Sequence, residues 1–468
     1  MISRENPARF AEIVGTVPET LPDAVDAIVR RLDGEQRAWA ARPLTGRLAA
    51  LTWAAGAIES AGPELAVLLA RESGKVVGDC RGEIGFAVRF LRWVVEHAPS
   101  AYADAEVDDA LGRLVTMRKP YGVVAAITPW NAPVILAMLK IGPALAAGNA
   151  VVVKPSPLAP LTVTRVVELF GAPIGVVHGG PETGAALVGH DLVRKVAFTG
   201  GAAGGRAVAA LAGDRLTPSV LELGGNDPAI LLDDAPFGDA AMERLVMASF
   251  ATSGQVCMAA KRLYVPRARL ADFVDAYRAA AGRVLTTGDP LAESATTGPV
   301  ISAAAQRAAN ALRTGDLHDL GCFDADPDTG YFVRPALVVD PAPSSPLVAD
   351  EQFAPVVPVL PYDDEESVLA AANAGELGLG ASVWSADEER AFAFARRFEA
   401  GFTFVNTHNR TGMSLRAPFG GVKRSGWGRE YAHEGLAEYA QTCVIHAPAA
   451  FRPGTEPSAA GPSAYPLG

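Results

Sequence analysis

The chain has 468 residues, of which 49% are hydrophobic and 20% charged, and its formal net charge is -11. This length is too great for one compact core and predicts two or three domains. The acidic balance argues against a nucleic-acid partner, because phosphate binding needs clustered Lys and Arg. The four cysteines lie far apart in the sequence, so we expect neither a disulfide framework nor a metal site, and a reducing compartment is the simpler interpretation.

The N-terminal segment mixes charges early and lacks the apolar core of a signal peptide. Residues 20 to 100 carry apolar residues at three-to-four spacing, which predicts helices. The longest uncharged run, residues 122–139, has about the length of a membrane span but contains Pro129 and Pro133 and ends at Lys140. A buried strand, a turn and a buried helix explain it better. We therefore expect a cytoplasmic protein with no membrane contact.

From Tyr121 onwards, short β-rich runs alternate with helical stretches. Fully apolar strands in such an alternation predict an α/β fold with a parallel sheet covered on both faces. Glycines and prolines cluster after the strands, where an open α/β sheet builds its ligand crevice. A second α/β block begins near Asp234, and residues 447–468, with five prolines, are predicted to form a flexible tail.

Cys257 lies in the stretch SFATSGQVCMAAKR, among small residues and with no histidine within fifty residues on either side. A core position, a disulfide, a metal ligand and a nucleophile are all conceivable for such a cysteine. Glu222 ends an apolar strand in SVLELGGND, where burial would raise its pKa toward neutrality and suit a general base. The turn at 224–225 could equally satisfy this carboxylate, and the two interpretations are even.

Asn131 follows a strand in ITPWNAPV and precedes a predicted helix. Its amide could donate to an oxyanion or cap the helix, and capping is the commoner role. The stretch VAFTGGAAGGRAVAAL joins a strand to a helix through Gly200, Gly201, Gly204 and Gly205. Such a turn can hold a pyrophosphate, but it lacks the GxGxxG order and is weak evidence by itself.

Seven stretches taken together are far more specific than any one of them. They are ITPWN at 127–131, KPS at 154–156, FTGG at 198–201, LELGG at 221–225, GQVC at 254–257, DEQFAPVVPV at 350–359 and PFGGVKRSGWGRE at 418–430. Their order and approximate spacing resemble those of the aldehyde dehydrogenase superfamily. The resemblance extends from about Glu72 to Thr442, over three quarters of the chain.

The resemblance implies an NAD(P)-dependent enzyme that oxidises an aldehyde to a carboxylic acid through a thiohemiacetal and a thioester. Cys257 matches the nucleophile, with its thiolate favoured by backbone N–H groups and the nicotinamide ring. Asn131 matches the oxyanion donor. Glu222 matches the base that activates the hydrolytic water, which places the chain in the hydrolytic branch of the superfamily.

The same resemblance implies a cofactor site built from strand ends and turns. Glu351 matches the carboxylate that holds the nicotinamide ribose, Phe353 the ring beside it, Lys154 the contact to the adenosine ribose, and Trp130 the cofactor-side wall. The remaining residues expected there are Thr128, Ser156, Gly200, Gly201, Gly205 and Leu223.

Position 157 departs from many NAD-preferring relatives, because Pro157 replaces a glutamate that binds the adenosine ribose. Without that charge a 2′-phosphate is not repelled, so NADP stays open. No arginine in KPSPLAPLT favours a phosphate, and NAD is the expected cofactor.

Residues that match the substrate tunnel of relatives are apolar but lack the frequent aromatic rings. They are Ala132, Leu136, Leu139, Ala251, Val256 and Met258. A wide tunnel for a bulky or extended aldehyde is expected, unless other side chains such as Met413 or Leu415 fill the space. The loop at 406–421 is expected to bring His408, Arg410 and Arg416 near the tunnel mouth, where an arginine could pair with a carboxylated substrate.

The resemblance also implies the architecture. It predicts a Rossmann-like cofactor domain at 1–102 and 119–233, a catalytic domain at 234–420 and β oligomerisation arms at 103–118 and 430–446. A homodimer or homotetramer is expected. Two other functions compete with aldehyde oxidation: a non-redox cysteine acyl-transfer enzyme, which would not need Lys154 and Glu351, and a non-catalytic protein on the same scaffold, which would not need an intact catalytic trio.

Overall fold

The computed structural model describes residues 1–452, and an antiparallel hairpin and four helices form its first part. These elements are β1 (Ile2–Asn6), β2 (Arg9–Val17), α1 (Pro22–Ala40), α2 (Leu44–Ser60), α3 (Gly62–Ser73) and α4 (Val77–Ala101). Gly74 caps α3 with a left-handed φ of 77°, which turns the chain sharply into α4. Cys80, Ile84, Ala87 and Leu91 of α4 are buried at three-to-four spacing, so one stripe of this helix faces the core and other faces are free to line a cavity.

The next elements alternate between strand and helix, after a pair of antiparallel strands. They are β3 (Ala105–Asp109), β4 (Gly112–Pro120), β5 (Val123–Ile127), α5 (Pro133–Ala147), β6 (Ala150–Lys154), α6 (Leu161–Val167), β7 (Ile174–Val176), α7 (Pro181–Val188), β8 (Val193–Thr199), α8 (Ala202–Asp214) and β9 (Ser219–Glu222). Strands β9, β8, β5, β6 and β7 lie side by side in this order, all parallel. Because β5 and β6 are fully buried, their sequences are continuous apolar runs.

The connections of this first sheet change direction at β5, since β6 and β7 lie on one side of it and β8 and β9 on the other. In open α/β sheets, ligands bind beyond the carboxyl ends of the strands at such a switch point. The segment at 128–132 follows β5, and the glycines at 200 and 201 follow β8. Both therefore lie where the topology favours a ligand.

The second half of the chain builds another sheet. Its elements are β10 (Asp227–Leu231), α9 (Asp239–Phe250), β11 (Ala260–Pro266), α10 (Leu270–Val284), β12 (Thr286–Thr287), α11 (Ala303–Ala311), β13 (Asp316–Asp319), β14 (Cys322–Phe323), β15 (Ala336–Val339), α12 (Pro346–Ala349), β16 (Val356–Tyr362), α13 (Glu365–Asn373), β17 (Leu377–Gly378), β18 (Gly380–Trp384), α14 (Glu388–Ala395) and β19 (Phe402–Val405). The sheet order is β13-β15-β16-β11-β10-β18-β19, parallel except for β13.

The last elements return to the first sheet and to the antiparallel strands. They are β20 (Val422–Lys423), β21 (Gly426–Trp427), α15 (Ala432–Ala437) and β22 (Ala440–Pro448). Strand β21 pairs with β9 and brings the segment after it close to the end of the first sheet. Strand β22 pairs with β4, which pairs with β3, and together they form a separate antiparallel sheet.

Two details differ from the expected arms and tail. The segment at 430–446 begins with α15, and the strand β22 extends past it to Pro448. A 3₁₀ turn follows at Ala449–Phe451. The rest of the predicted flexible tail, from residue 453 onwards, lies outside the described residues. Within 1–452, no helix combines the length and the apolar character needed to cross a membrane.

Candidate active site

A strained turn presents Cys257 to the cleft between the two sheets. Helix α9 ends at Phe250, and Thr252, Ser253 and Gly254 then all adopt left-handed backbone angles, with φ of 55°, 57° and 72°. A side chain at Gly254 would overlap the carbonyl oxygen of Ala354, so only glycine fits there. Non-glycine residues with positive φ store strain of about 1–3 kcal/mol each and concentrate at functional sites.

Hydrogen bonds hold this turn in place. Ser253 Oγ donates to the carbonyl of Gly298 over 2.7 Å. Gln255 donates from Nε2 to the carbonyl of Thr252 and accepts at Oε1 from the backbone N–H of Ile301. The glycine and glutamine of the GQVC stretch therefore fix the backbone that carries Cys257.

Cys257 is half-buried and lines a pocket of about 210 Å³, which we call the glycine-lined pocket. Its other lining residues are Pro129, Trp130, Asn131, Thr199, Gly200, Gly201, Leu223, Gly224, Glu351 and Phe353. The residues on either side of Cys257, Val256 and Met258, line a second cavity of about 440 Å³. Asn131 lines both spaces. The cysteine therefore stands at the boundary between two cavities, as a shared reaction point requires.

The surroundings of the Cys257 thiol disfavour its thiolate form in the free protein. Burial raises its pKa to about 12, with additional repulsion from the carboxylates of Glu351 and Asp227, and Lys261 opposes the shift. No histidine among the described residues hydrogen-bonds to it: His408, the histidine of the loop after β19, is fully buried and contacts Ser382 and Asp227. Activation of this thiol therefore depends on groups other than an imidazole.

Asn131 points its amide at the turn that carries Cys257. Its Nδ2 donates to the carbonyl of Gln255 over 3.1 Å, and the side chain is buried. Ala132 is the N-cap residue of α5, which has no side-chain capping bond, so the capping role considered from the sequence is not what the structure has. An amide held beside the sulfur can donate its second hydrogen to an oxyanion formed there.

Glu222 is 3% exposed at the end of β9, and neither of its carboxylate oxygens has a hydrogen-bond partner among the described residues. Burial raises its pKa well above the ordinary value, the negative charge of Glu430 raises it further, and Lys140 opposes both. The turn at 224–225 does not bind the Glu222 carboxylate, because the Gly225 N–H donates to Glu351 Oε1 over 3.0 Å. A buried carboxylate without partners and with a strongly raised pKa is a candidate general base.

Lys140 and Glu430 form a buried ion pair beside Glu222. The Nζ of Lys140 donates to Glu430 Oε1 and to Thr199 Oγ1, each over 2.7 Å. Both charged side chains are at most 3% exposed. Sequence reasoning used Lys140 only to end an apolar run. The sequence does carry a signal for this pair, because Lys140 is a single charge within an apolar helix. A buried charge of this kind is retained only when it is paired.

Aromatic rings and a carboxylate form the wall of the glycine-lined pocket opposite the glycines. The rings of Trp130 and Phe353 meet edge to face with centroids 5.6 Å apart, and Lys261 Nζ lies 4.7 Å from the Phe353 centroid. The carboxylate of Glu351 packs so closely against Gly224 that any side chain at that glycine would overlap it. Gly201 faces open space. The pocket thus offers backbone N–H groups, an aromatic wall and an acid.

Lys154 ends β6 and is 6% exposed, yet its Nζ donates to no acceptor in the described part of the chain. Burial lowers its pKa to about 8, and the nearby Glu182 opposes the shift. The neighbouring Thr128 has a buried hydroxyl with no partner among residues 1–452. An unpaired cation and an unpaired hydroxyl at adjacent strand ends are free to bind a polar ligand.

Two of the expected cofactor residues have local contacts instead. Ser156 Oγ accepts a hydrogen bond from the Leu158 N–H and thus stabilises its own turn. Gly205 lies within α8 and packs against the side chain of Leu223, which leaves no space for a side chain. Neither residue lines the glycine-lined pocket. Gly205 therefore corrects the sequence expectation, since it allows α8 to pack closely on Leu223.

The second space, which we call the α4 cavity, is built mainly on one face of α4. Its lining residues are Lys75, Gly78, Asp79, Gly82, Glu83, Phe86, Arg89, Asn131, Ala132, Ile135, Thr252, Val256, Met258, Asn409, Arg410, Met413 and Tyr431. Ala132, Val256 and Met258 were expected there and are present.

Leu136, Leu139 and Ala251 were also expected in this cavity, and they are not among its lining residues. Leu139 is buried in the hydrophobic core and Ala251 is buried at the start of the strained turn, whereas Leu136 is only partly buried and packs against that core. Ile135 of the same helix lines the cavity and also belongs to the hydrophobic core.

The cavity also keeps the aromatic rings that the sequence comparison considered lost. Phe86 and Tyr431 line it, with ring centroids 6.2 Å apart in an edge-to-face arrangement. Met413 lines it too, whereas Leu415 does not. Sequence reasoning missed the two rings because they come from α4 and from the segment before α15, far from the motifs.

Loop residues expected at the mouth of the tunnel occupy different environments. His408 is fully buried and its Nδ1 lies 2.7 Å from Ser382 Oγ. Arg410 lines the α4 cavity and forms a 2.7 Å ion pair with Asp79. Arg416 is exposed outside the cavity lining. Only Arg410 therefore lies where the sequence predicted.

Comparison with known proteins gives one consistent result. The sequence profile of the aldehyde dehydrogenase family matches residues 1–445. The chain is 36% identical to geranial dehydrogenase from Castellaniella defragrans over 446 residues, which cover 92% of each protein. It is 36% identical to glutarate-semialdehyde dehydrogenase from Pseudomonas aeruginosa over 465 residues, covering 94% of this chain and 92% of that one.

A solved structure agrees with the sequence comparison. A mutant of aldehyde dehydrogenase C from Pseudomonas syringae, crystallised with NAD+ and octanal, superposes with a TM-score of 0.90 at 31% identity. The match covers 97% of this chain and 94% of that one. The predicted α/β fold class is confirmed by these neighbours. The chain belongs to the aldehyde dehydrogenase family and is an NAD(P)-dependent oxidoreductase of that family.

Proposed function

We propose that this enzyme oxidises an aldehyde to a carboxylic acid through a thioester on Cys257. The observation that carries the proposal is that Cys257 lies where two cavities meet, with Asn131 lining both. One cavity can then hold the oxidant and the other the aldehyde, so that both reach the same sulfur. Cys257 is the nucleophile, Asn131 the oxyanion donor and Glu222 the base in this proposal.

The residues of the glycine-lined pocket fit a nicotinamide dinucleotide. Gly201 faces open space in this pocket, so a ligand can approach its backbone closely, and Lys154, outside the pocket lining, is a cation that lacks a partner in the described structure. Glu351 would hold the nicotinamide ribose, and Phe353 and Trp130 would enclose the ring. When bound, the oxidised dinucleotide supplies a two-electron acceptor next to Cys257.

Attack by the Cys257 thiolate on the aldehyde carbon forms a carbon–sulfur bond and places a negative charge on the former carbonyl oxygen. Because the thiol has a pKa of about 12, its proton must move to a base as the bond forms. Glu222, whose pKa is raised by burial and whose oxygens have no partner among the described residues, can accept it. The Asn131 amide then stabilises the oxyanion, an effect typically worth ~3 kcal/mol.

Loss of a hydride from the thiohemiacetal carbon, for which the bound dinucleotide would be the acceptor, leaves a thioester on Cys257. Once Glu222 has released the thiol proton, it can remove a proton from the attacking water, and the water oxygen bonds to the acyl carbon as the carbon–sulfur bond breaks. This hydrolysis releases the acid, and the sulfur regains a proton to restore the free thiol. The buried pair of Lys140 and Glu430 sets the charge around Glu222, since Glu430 raises its pKa and Lys140 lowers it. The two charges therefore act on the proton affinity of Glu222 in opposite directions.

We propose NAD rather than NADP as the preferred dinucleotide. Glu182, in the first turn of α7, lies close enough to Lys154 to affect its pKa. The backbone of Gly184 in the same helix packs against the Lys154 side chain. The negative charge of Glu182 near Lys154 disfavours a 2′-phosphate at that lysine.

The substrate proposed for the α4 cavity is an extended aldehyde with an apolar carbon chain. Phe86, Ile135, Met258, Met413 and Tyr431 supply apolar surface along a cavity of about 440 Å³. A cavity of this size takes a chain or a ring rather than a two-carbon aldehyde. The geranial and glutarate-semialdehyde dehydrogenases to which the chain is similar are named for extended aldehydes.

We also propose a cytoplasmic homodimer or homotetramer. All four cysteines are free, in keeping with a reducing compartment. The antiparallel sheet of β3, β4 and β22 exposes apolar side chains at Val107, Leu111, Val444 and Ile445, which a second subunit would cover. Light scattering after size exclusion tests the assembly, and a monomer at micromolar concentration would contradict it.

The test of the proposed activity is reduction of NAD+ in the presence of an aldehyde, comparing the wild type with Cys257→Ala. We expect Cys257→Ala to lose turnover by roughly 10⁴-fold or more, while binding of NAD+, followed by quenching of tryptophan fluorescence, is retained. Cys322→Ala is the matched control, because Cys322 lies exposed in β14, and it should be fully active. Undiminished turnover in Cys257→Ala would end the nucleophile assignment.

A further inference from the structure

Five charged side chains line the α4 cavity, and four of them neutralise one another in pairs. Lys75 pairs with Glu83, whose other oxygen accepts from the backbone N–H groups of Val134 and Ile135. Arg410 pairs with Asp79 over 2.7 Å. The cavity wall therefore keeps one uncompensated positive charge, that of Arg89.

Arg89 has no carboxylate partner within the described residues. Its guanidinium instead stacks over the Phe86 ring, with Cζ 5.4 Å from the ring centroid. The other arginine nearby on α4, Arg92, is bound by Glu59 in a bidentate pair. Arg89 is thus held at the cavity by a ring contact that leaves its N–H groups free to bind an anion.

The path from the nucleophile to Arg89 passes along aromatic surface. Tyr431 is close enough to Cys257 for the thiol to affect the phenol, and its ring meets Phe86 at 6.2 Å between centroids. Phe86 in turn carries Arg89 on its face. A substrate that follows these contacts meets apolar surface first and then the guanidinium of Arg89, an exposed residue of the cavity lining.

We infer that the preferred aldehyde carries a carboxylate at the end remote from the reacting carbon, and that Arg89 binds this carboxylate. The inference rests on the proposed function, since it takes Cys257 as the reacting end of the cavity. It moves the carboxylate-binding role away from the loop arginines: Arg410 is already paired with Asp79, and Arg416 does not line the cavity. Arginine suits the role because its planar fork matches a carboxylate.

Steady-state kinetics with 5-oxopentanoate and pentanal test the inference, because the two differ only in the terminal carboxylate. In Arg89→Gln we expect the KM for 5-oxopentanoate to rise roughly tenfold with kcat nearly unchanged, as for loss of binding that is equal in ground and transition states. Kinetics with pentanal should stay the same. Arg92→Gln, on the same helix but outside the cavity lining, is the matched control and should change neither substrate.

A binding measurement keeps the inference testable apart from catalysis. Titration calorimetry of Cys257→Ala with glutarate, in the presence of NAD+, should show binding that weakens roughly tenfold when Arg89→Gln is added, and pentanoate should bind no differently in the two proteins. Glutarate binding that is absent, or that is unaffected by Arg89→Gln, overturns the inference. Failure of the wild type to oxidise any aldehyde would instead reject the proposed function, and the glutarate result would still decide whether Arg89 binds an anion.

Discussion

The two cavities that meet at Cys257 are built in different ways. The glycine-lined pocket is formed by backbone at the ends of parallel strands, with Gly200 after β8, Gly224 after β9 and Asn131 after β5. The α4 cavity is formed by side chains from one face of a helix and from a distant loop, such as Phe86 and Met413. The shape of the glycine-lined pocket is therefore set by the sheet topology, and the shape of the α4 cavity is set by the side chains that line it.

The two cavities differ in how far their residues can be exchanged. A side chain at Gly224 would overlap Glu351, so the glycine-lined pocket tolerates little change in its backbone. In the α4 cavity, exchange of Phe86 or Arg89 would alter shape and charge while the strained turn that carries Cys257 stays in place. The α4 cavity is therefore where specificity can differ between relatives without loss of the chemistry.

Glu222 belongs to neither cavity lining and should affect chemistry alone. We expect Glu222→Gln to slow turnover by roughly 10²–10⁴-fold, because the amide cannot accept the proton of the attacking water. The KM for NAD+ should change little. Stopped-flow measurement of a burst of NADH followed by a slow steady state would identify hydrolysis as the impaired step, and full steady-state activity would reject the base role.

Asn131 lines both cavities, so the effect of replacing it should not be confined to the binding of one ligand. Asn131→Ala is expected to reduce kcat by roughly 10²–10³-fold through loss of the oxyanion donor. Asn310→Ala, on the exposed side of α11, serves as the control. An effect confined to KM would show instead that Asn131 only shapes the cavities.

The pKa of Cys257 predicts how the free enzyme reacts with an alkylating agent. Because burial raises this pKa to about 12, the thiolate fraction increases about tenfold for each pH unit between about pH 7 and about pH 10. Iodoacetamide labelling of the Cys257 peptide, followed by mass spectrometry without dinucleotide, should rise accordingly. A plateau below about pH 9 would contradict the raised pKa.

Replacement of Lys154 tests the proposed cofactor site separately from the aldehyde site. Lys154→Met should raise the Kd for NAD+ roughly tenfold or more, since hydrogen bonds to a charged partner are worth about 1.5–3 kcal/mol. The KM for aldehyde should be unchanged. Lys119→Met, an exposed substitution in β4, is the control, and an unaltered Kd in Lys154→Met would remove Lys154 from the cofactor site.

The smallest expected effect concerns the choice of dinucleotide. Glu182→Gln removes a partly screened charge and should improve NADP+ relative to NAD+ in kcat/KM by roughly two- to fivefold. Glu388→Gln, another exposed first-turn glutamate, in α14, should leave the ratio as it is. A ratio that shifts toward NAD+ in Glu182→Gln would reverse the assigned role of this charge.

The sequence predicted the glycine-lined side far better than the α4 cavity, for a physical reason. Trp130, Gly200 and Glu351 lie in short stretches whose order along the chain mirrors the order of strand ends, so local motifs report on the site directly. Phe86 and Arg89 lie on a long amphipathic helix, and its periodicity does not say which flank faces a cavity. The unpaired state of Arg89 depends on where distant acids settle, which a sequence does not show.

Residues near the motifs were also misassigned where packing decides. Leu139 was expected in the substrate space and is buried in the core, since α5 is buried on nearly all sides, whereas Leu136 is the residue of α5 that is only partly buried. The pairing of Lys140 with Glu430 joins residues 290 positions apart. Neither outcome follows from local pattern, because both depend on how the two sheets meet. The proposed domain boundaries remain predictions.

The most direct test of the central claim is the intact mass of Glu222→Gln after brief mixing with NAD+ and 5-oxopentanoate or another extended aldehyde. The account predicts an added mass equal to the acyl group, located by peptide mapping on Cys257 and absent when Cys257→Ala is combined with Glu222→Gln. An unmodified Cys257 in a protein that is still forming NADH, or an acyl group on a different residue, would contradict it.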